Sequence, residues 1–239
     1  MKPLNRTVWI ILFALAMGFL EAAVVVYIRA LYYPEGFAFP LREMAPYLAT
    51  TELLRELATL IMILAIGILA AKEKLHRFAW FLIVFAIWDI AYYLFLKLLI
   101  GWPSSLLTTD ILFMLPSLWT GPVVAPIINS LTMILLATLI LISRPESFLV
   151  TRLSRVEWVL LITGSVLVLI SYMKDFVVFA LDYLQSLPRG EDFSLNQVMI
   201  ILPSHFVPHS FDWLLFCIGV FLHQLAIVLI FNRKQISIK

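Results

Sequence analysis

Ionisable side chains stand inside long apolar stretches of this 239-residue sequence, and their spacing places several of them on shared helix faces. An ionisable group near the middle of a membrane span costs at least ~2.5–3.5 kcal/mol, so it normally faces a partner or a cavity. Asp89, Tyr93 and Lys97 follow one another at intervals of four residues, which puts them on one face of a helix. Arg55 and Glu56 lie in another stretch. These residues are candidates for binding a charged solute, for proton transfer or for acid–base chemistry.

Further polar groups occupy the other apolar stretches. Glu21 lies in the first and Asp175 in the fifth, while Asn129 follows Pro126, whose ring frees a backbone carbonyl one turn earlier. Because acidic residues outnumber basic ones inside the stretches, unpaired carboxylates there either take up protons or hold a cation. The alternative is a set of ion pairs that fixes helix packing. The predicted binding residues are Glu21, Arg55, Glu56, Asp89, Tyr93, Lys97, Asn129 and Asp175.

Metal, cofactor and nucleophile chemistry finds little support in the sequence. A single cysteine, Cys217, excludes an internal disulfide and a multi-cysteine metal site. His205, His209 and Asp212 form a weak zinc candidate, because a proline between the histidines disfavours a regular helix there. A serine hydrolase requires a base beside its serine, and His223 is the one deep histidine. We therefore predict no resident metal or cofactor.

Composition defines the elements that must position these groups. Hydrophobic residues make up 63% of the chain, charged residues 13%, and the mean hydropathy is +1.01. These values exclude a soluble globular domain, a disordered chain and a nucleic-acid binder with a basic surface. The predicted fold is an all-α integral membrane protein, in which one domain (1–239) forms a bundle of six transmembrane helices. The predicted spans are 8–31, 51–71, 78–101, 119–142, 157–184 and 210–231.

The distribution of basic residues predicts the orientation. Eleven of the 17 basic residues fall in the two termini and the even-numbered connections, so both termini are expected in the cytoplasm of a prokaryote, with the protein in its inner membrane. The outer connections, 34–50, 101–118 and 185–209, are long and apolar, which favours short interfacial helices on the outer side.

The spacing of acids and prolines suggests an internal repeat. Glu21 precedes Pro34 by 13 residues, Asp89 precedes Pro103 by 14, and a third such pair follows in the fifth span. The text ILFMLPS at 111–117 also resembles VMIILPS at 198–204. These matches predict three in–out–in hairpins related by a threefold repeat, although prolines commonly follow helix ends in any case.

Three functions fit this architecture. The first is a small carrier that binds a cation, a cationic solute or protons in an acidic cavity between the midplane and the outer side. The second is a membrane enzyme acting on a lipid, isoprenoid or quinone at the outer leaflet. The third is a non-catalytic subunit of a larger complex. The expected partners are membrane lipids and a small solute, cation or lipid ligand, without nucleic acid, and a homo-oligomer or a membrane complex stays open.

Overall fold

Six long helices carry the chain across the membrane. The computed structural model describes residues 3–142, 153–186 and 202–236. Among these residues, six helices are long and apolar enough to span a bilayer, which confirms a multi-pass membrane protein. The helices are α1 (Pro3–Tyr32), α2 (Pro46–Ala70), α3 (Lys74–Ile100), α4 (Val124–Ile142), α5 (Arg155–Ser186) and α6 (Trp213–Ile236).

Local sequence explains several helix boundaries. Pro46 begins α2, where a missing N–H costs nothing because the first turn has no backbone acceptor for it. Gly101 ends α3 with a φ of 70°, and its N–H bonds to the carbonyl of Lys97. Such a left-handed residue favours glycine. Pro126 lies in the first turn of α4, so it displaces no helical hydrogen bond.

A β-hairpin replaces the short helix expected within 101–118. Strand β1 (Thr109–Phe113) pairs antiparallel with β2 (Trp119–Pro122), and Thr109 opposes Pro122. The fourth helix therefore begins at Val124 and not at 119, because residues 119–122 are used in the strand. A single 3₁₀ turn, Leu202–Ser204, lies before α6. Residues 187–201 of the third outer connection (185–209), where a short interfacial helix is also expected, fall outside the described residues.

Glycines allow two pairs of helices to approach closely. A Cβ added at Gly18 of α1 would lie 2.6 Å from the Cβ of Ala91 on α3. A Cβ added at Gly219 of α6 would lie 2.7 Å from the carbonyl oxygen of Gly164 on α5. Membrane helices associate through such small residues, since lipid offers no hydrophobic driving force between them. The α1–α3 and α5–α6 contacts are therefore specific and intolerant of added volume.

The helices form two groups. Helices α1, α2 and α4 pack around α3, whereas α5 packs against α6 and β2 and not closely against α3 or α4. The two groups meet where α6 packs on α4, and there Gln224 donates a hydrogen bond of 3.0 Å to Thr132. Helices α5 and α6 are antiparallel, with Glu157 bonded to Arg233 at 2.9 Å near one end and Lys174 to Asp212 at 2.6 Å near the other. Because α1 packs on α3 and barely touches α2, the first pair of helices differs from the last, and the threefold repeat stays a prediction.

Candidate functional site

A small cavity with eight charged residues along its wall lies among α1, α2, α3 and β1, towards the ends of the helices that carry the long connections. We call it the polar chamber, and its volume is about 130 Å³. Five of the eight predicted residues line it: Glu21 from α1, Arg55 and Glu56 from α2, and Asp89 and Tyr93 from α3. The charged residues along its wall are Glu21, Arg29, Arg42, Glu52, Arg55, Glu56, Asp89 and Asp110.

Arg55 connects two of the chamber's carboxylates. Its guanidinium forms an ion pair with Glu21 of α1, and it donates to Glu52 through Nε at 2.9 Å and Nη2 at 2.6 Å. The Glu52 contact follows from the spacing of three residues on one helix. Thr59 donates a longer hydrogen bond of 3.5 Å to Glu21. Both carboxylates therefore have a cation beside them, and the network joins α1 to α2.

Glu56 is buried and holds the hairpin. Its two carboxylate oxygens accept the backbone N–H of Met114 at 3.0 and 3.2 Å. Met114 directly follows β1, so this contact fixes the turn of the hairpin against α2. The Glu56 carboxylate therefore has a structural partner, although it also faces the chamber.

Arg29 and Asp110 form a buried ion pair that the predicted site did not include. Arg29 Nη2 donates to Asp110 Oδ1 at 3.1 Å, and the two side chains are 9% and 2% exposed. The guanidinium also lies 3.8 Å from the ring centroid of Trp102 and 4.5 Å from that of Phe37. Burial raises the pKa of Asp110 to about 7, while Arg29 acts in the opposite direction. Within the described part of the chain, Arg29 Nη1 is buried without a hydrogen-bond partner.

The sequence contains a signal for Arg29 as a site residue but none for Asp110. Arg29 stands eight residues after Glu21, on the same face of the first span, so its inclusion could have been argued. Asp110 lies in a connection, and its approach to Arg29 depends on the hairpin, 81 residues further along the chain. No local pattern indicates that contact.

Asp89 lies where two cavities meet. Its Oδ2 accepts a hydrogen bond of 2.7 Å from the hydroxyl of Ser130 on α4. No lysine or arginine of the described residues lies within ion-pair distance of it. Tyr93, one turn further along α3, is buried and stacks on Trp102 with ring centroids 6.4 Å apart. Asp89 and its neighbour Trp88 line both the polar chamber and a second, larger cavity.

The second cavity is mostly apolar. We call it the apolar cavity; its volume is about 290 Å³, and it lies between α3, α4 and α5, with Leu60 of α2 at its edge. It extends from Asp89 towards Phe78 and Leu161, which lie near the N-terminal ends of α3 and α5. Among the described residues, four that line it carry a buried polar atom without a hydrogen-bond partner: Trp88 Nε1, Trp119 Nε1, Asn129 Oδ1 and Tyr172 Oη. These atoms offer hydrogen bonds to a bound molecule.

A serine and a histidine meet on the wall of the apolar cavity. Ser165 Oγ lies 3.2 Å from His223 Nε2, and the same nitrogen lies 3.2 Å from the carbonyl oxygen of Leu161. The sequence left His223 as the one histidine that could reach the depth of Ser165, and the crossing of α5 and α6 at Gly164 brings the two together. Among the described residues no acid contacts His223, so the pair lacks the third member of a catalytic triad.

Lys97 and Asp175 lie outside both cavities. Lys97 is exposed, and its amine donates to the carbonyls of Gly101 and Pro103 at 3.1 and 2.8 Å. It therefore stabilises the chain beyond the end of α3, where carbonyls have no helical partner. Asp175 accepts the backbone N–H of His209 at 2.9 Å and so fixes the segment that enters α6.

The weak zinc candidate is not assembled. No group of three metal-ligating side chains occurs among the residues that the structure describes. His205 packs on Tyr183 with ring centroids 5.3 Å apart. Asp212 instead caps α6 by accepting the N–H of Leu215 at 3.0 Å, and its hydrogen bond with Lys174 lowers its pKa. Each residue of the trio thus has a separate structural contact.

Comparison with known proteins supplies no relative. The chain matches no known protein family, no curated protein and no solved structure. Inference about function therefore rests on the geometry of the two cavities.

Proposed function

We propose that the protein is a membrane carrier for a cationic solute with an apolar body, and that Asp89 binds the cationic group. The observation that carries this proposal is the position of Asp89 between the polar chamber and the apolar cavity, with a hydroxyl and no cation beside it. A carboxylate in such a setting requires a proton or a bound cation.

The other carboxylates of the chamber are already engaged. Glu21 and Glu52 share Arg55, Glu56 accepts a backbone N–H, and Asp110 pairs with Arg29. The chamber's five carboxylates also outnumber its three arginines, so its field favours a positive ligand. Asp89 is thus the carboxylate with the greatest need of an external partner.

The apolar cavity supports an apolar body on the same solute. Ligand pockets typically enclose roughly 300–1,000 Å³ and combine apolar walls with a few polar groups. The cavities of about 290 and 130 Å³ share Trp88, Asp89, Leu112 and Phe113 and together reach that size. A molecule with its cationic group at Asp89 would bury an alkyl or aromatic part among the side chains of α3, α4 and α5.

The arrangement of the helices is compatible with a transport cycle. The apolar cavity lies at the seam between the α1–α4 group and the α5–α6 pair, where α5 is not closely packed on α3 or α4 and the two groups are joined by the contact of α6 with α4. Rocking of one helix group against another around a central site is a general route to alternating access. We propose that α5 and α6 move against the remaining helices.

Orientation completes the proposal. The excess of basic residues in the termini and even-numbered connections favours cytoplasmic termini in the inner membrane of a prokaryote. The polar chamber would then face the outside. The three in–out–in hairpins and their repeat belong to the same proposal and are tested by topology mapping.

Equilibrium binding tests the role of Asp89. The purified protein in lipid nanodiscs is titrated with octyltrimethylammonium, which keeps its charge at every pH, and with uncharged octanol. We expect the cation to bind and Asp89→Asn to weaken it at least tenfold, whereas Asp182→Asn, on an exposed face of α5, leaves the affinity within twofold. Equal affinity for the cation in the wild type and Asp89→Asn would contradict the proposal.

An enzyme acting on a lipid is the second candidate, and the contact of Ser165 with His223 favours it. In that function His223 would give up its hydrogen bond to the Leu161 carbonyl and adopt the tautomer with an unprotonated Nε2. That nitrogen would accept the serine proton while the hydroxyl attacks an acyl carbon of a lipid in the apolar cavity, and it would return the proton to the departing alcohol. Hydrolysis of an octanoyl ester by the wild type, lost in Ser165→Ala and kept in Ser171→Ala, would support it.

A further inference from the structure

We infer that the solute is a zwitterion and that Arg29 binds its anionic oxygen. This inference rests on the proposed carrier function, because it concerns the second charge of the same ligand. It assigns an order to the molecule: an apolar body in the apolar cavity, a cationic group at Asp89, and an anionic group at Arg29 in the polar chamber.

Arg29 has a donor to spare in a buried position. Its side chain is 9% exposed and Nη2 is bonded to Asp110 Oδ1, while Nη1, like Asp110 Oδ2, is buried without a hydrogen-bond partner among the described residues. Leaving a buried charged donor unsatisfied is costly, so such an atom on a residue that lines a cavity is a candidate for binding a ligand. A guanidinium presents two parallel N–H donors, which match a carboxylate, phosphate or sulfonate group.

Aromatic rings hold this guanidinium in place. Trp102 and Phe37 lie 3.8 and 4.5 Å from it, so its orientation does not depend on a ligand. Cation–π contacts of this kind favour arginine over lysine, because the planar group stacks on a ring. A donor held in a fixed direction binds with little loss of conformational entropy.

A second arginine and a tyrosine hydroxyl also line the polar chamber. Arg42 also lines the chamber, and its backbone N–H donates to the hydroxyl oxygen of Tyr33 at 2.8 Å. The Tyr33 hydroxyl keeps its own proton for donation to a ligand. Asp89 lines both cavities, whereas Arg29 and Arg42 line the polar chamber alone, so a solute that reaches from the apolar cavity into the chamber would meet Asp89 before Arg29.

Three probes with the same octyl tail test the order of charges. Octyltrimethylammonium carries the cation alone, octanesulfonate the anion alone, and 3-(dimethyloctylammonio)propanesulfonate both, with the ammonium next to the tail. Affinities are measured in nanodiscs for the wild type and for the double variant Arg29→Gln/Asp110→Asn. The double variant removes both charges, so it leaves no uncompensated buried ion. Arg29→Lys keeps the charge without the planar fork.

We expect the wild type to bind the zwitterion at least tenfold more tightly than octyltrimethylammonium. The double variant should reduce that ratio to about one, and Arg29→Lys should give an intermediate ratio. The control Lys174→Gln, in an exposed ion pair far from the chamber, should keep the ratio of the wild type. Equal affinity of the wild type for the zwitterion and for octyltrimethylammonium would overturn the inference. So would a double variant that still prefers the zwitterion at least tenfold.

The outcomes separate this inference from the carrier proposal. If Asp89→Asn leaves octyltrimethylammonium binding unchanged while the double variant weakens octanesulfonate, the cation site fails and the anion site stands. If Asp89→Asn abolishes cation binding while the wild type binds the zwitterion and octyltrimethylammonium equally, the carrier proposal stands and the zwitterion inference fails. Phospholipid that co-purifies with the wild type and is lost from the double variant would identify the anionic oxygen as that of a lipid headgroup. Zwitterion binding to delipidated protein would identify a free solute.

Discussion

Glu56 on α2 accepts the backbone N–H of Met114 through both carboxylate oxygens, at 3.0 and 3.2 Å, and thereby ties the β-hairpin to the helix bundle. The contact joins residues 58 positions apart in the chain. It closes the chamber wall that β1 forms, and it leaves Glu56 less able than Asp89 to receive a solute.

Truncation of Glu56 should release the hairpin. Glu56→Ala removes the acceptor, so we expect hydrogen–deuterium exchange at 109–122 to accelerate at least tenfold. Glu56→Gln keeps one carbonyl oxygen in place and should preserve most of the protection. Exchange followed by mass spectrometry measures the difference, and identical protection in Glu56→Ala and the wild type would show that the hairpin is held elsewhere.

Loss of Arg55 should destabilise the bundle. Arg55→Gln leaves Glu21 and Glu52 without a cation, and because these side chains are 12–21% exposed we expect a loss of about 2–3 kcal/mol, below the range of fully buried pairs. Adding Glu21→Gln should restore part of the stability. Thermal unfolding in detergent measures both.

The exposed ion pair of Lys174 and Asp212 should contribute less stability than the ion pairs of Arg55. Lys174 is 53% exposed, so Lys174→Gln should cost about 0–1 kcal/mol. A larger loss for Lys174→Gln than for Arg55→Gln would contradict the ranking of the two pairs.

Added volume at Gly18 should separate α1 from α3. Gly18→Ala places a methyl group 2.6 Å from Ala91 Cβ and 2.8 Å from the Trp88 carbonyl, so we expect a loss of about 1–3 kcal/mol. Gly121→Ala meets only side-chain atoms, at 3.1 Å or more, and should cost less because the Phe211 ring can shift. Thermal unfolding of both variants checks the order.

Orientation can be read from single cysteines. In a Cys217→Ser background, we expect Glu35→Cys to react with a membrane-impermeant maleimide on intact cells. Glu73→Cys should react only after permeabilisation, because the basic connection around it is predicted to face the cytoplasm. The reverse pattern would invert the topology and place the polar chamber on the cytoplasmic side.

Long-range contacts limited what the sequence could reveal about the fold. The six spans follow from hydropathy, because a bilayer imposes length and apolarity on each helix. The hairpin was missed because β1 and β2 lie within a connection whose apolar text also suits an interfacial helix. Its pairing depends on contacts with Glu56 and Arg29, which come from distant helices.

Helical spacing in the sequence predicted part of the candidate site. Helical spacing indicated that Glu21, Arg55 and Asp89 face the interior, and all three line the polar chamber. The same spacing placed Lys97 with Asp89, yet Lys97 turns to carbonyl oxygens just beyond its own helix. A long side chain near a helix end has that option, and periodicity does not distinguish it from an interior position.

Charge movement through the protein tests the central role of Asp89 most directly. Proteoliposomes adsorbed on a solid-supported membrane receive a concentration jump of octyltrimethylammonium, with Asp182→Asn as the matched control. We predict a transient current in the wild type and in Asp182→Asn that is lost in Asp89→Asn. A current of the same size in Asp89→Asn, or no current in any of the three proteins, would contradict the carrier proposal.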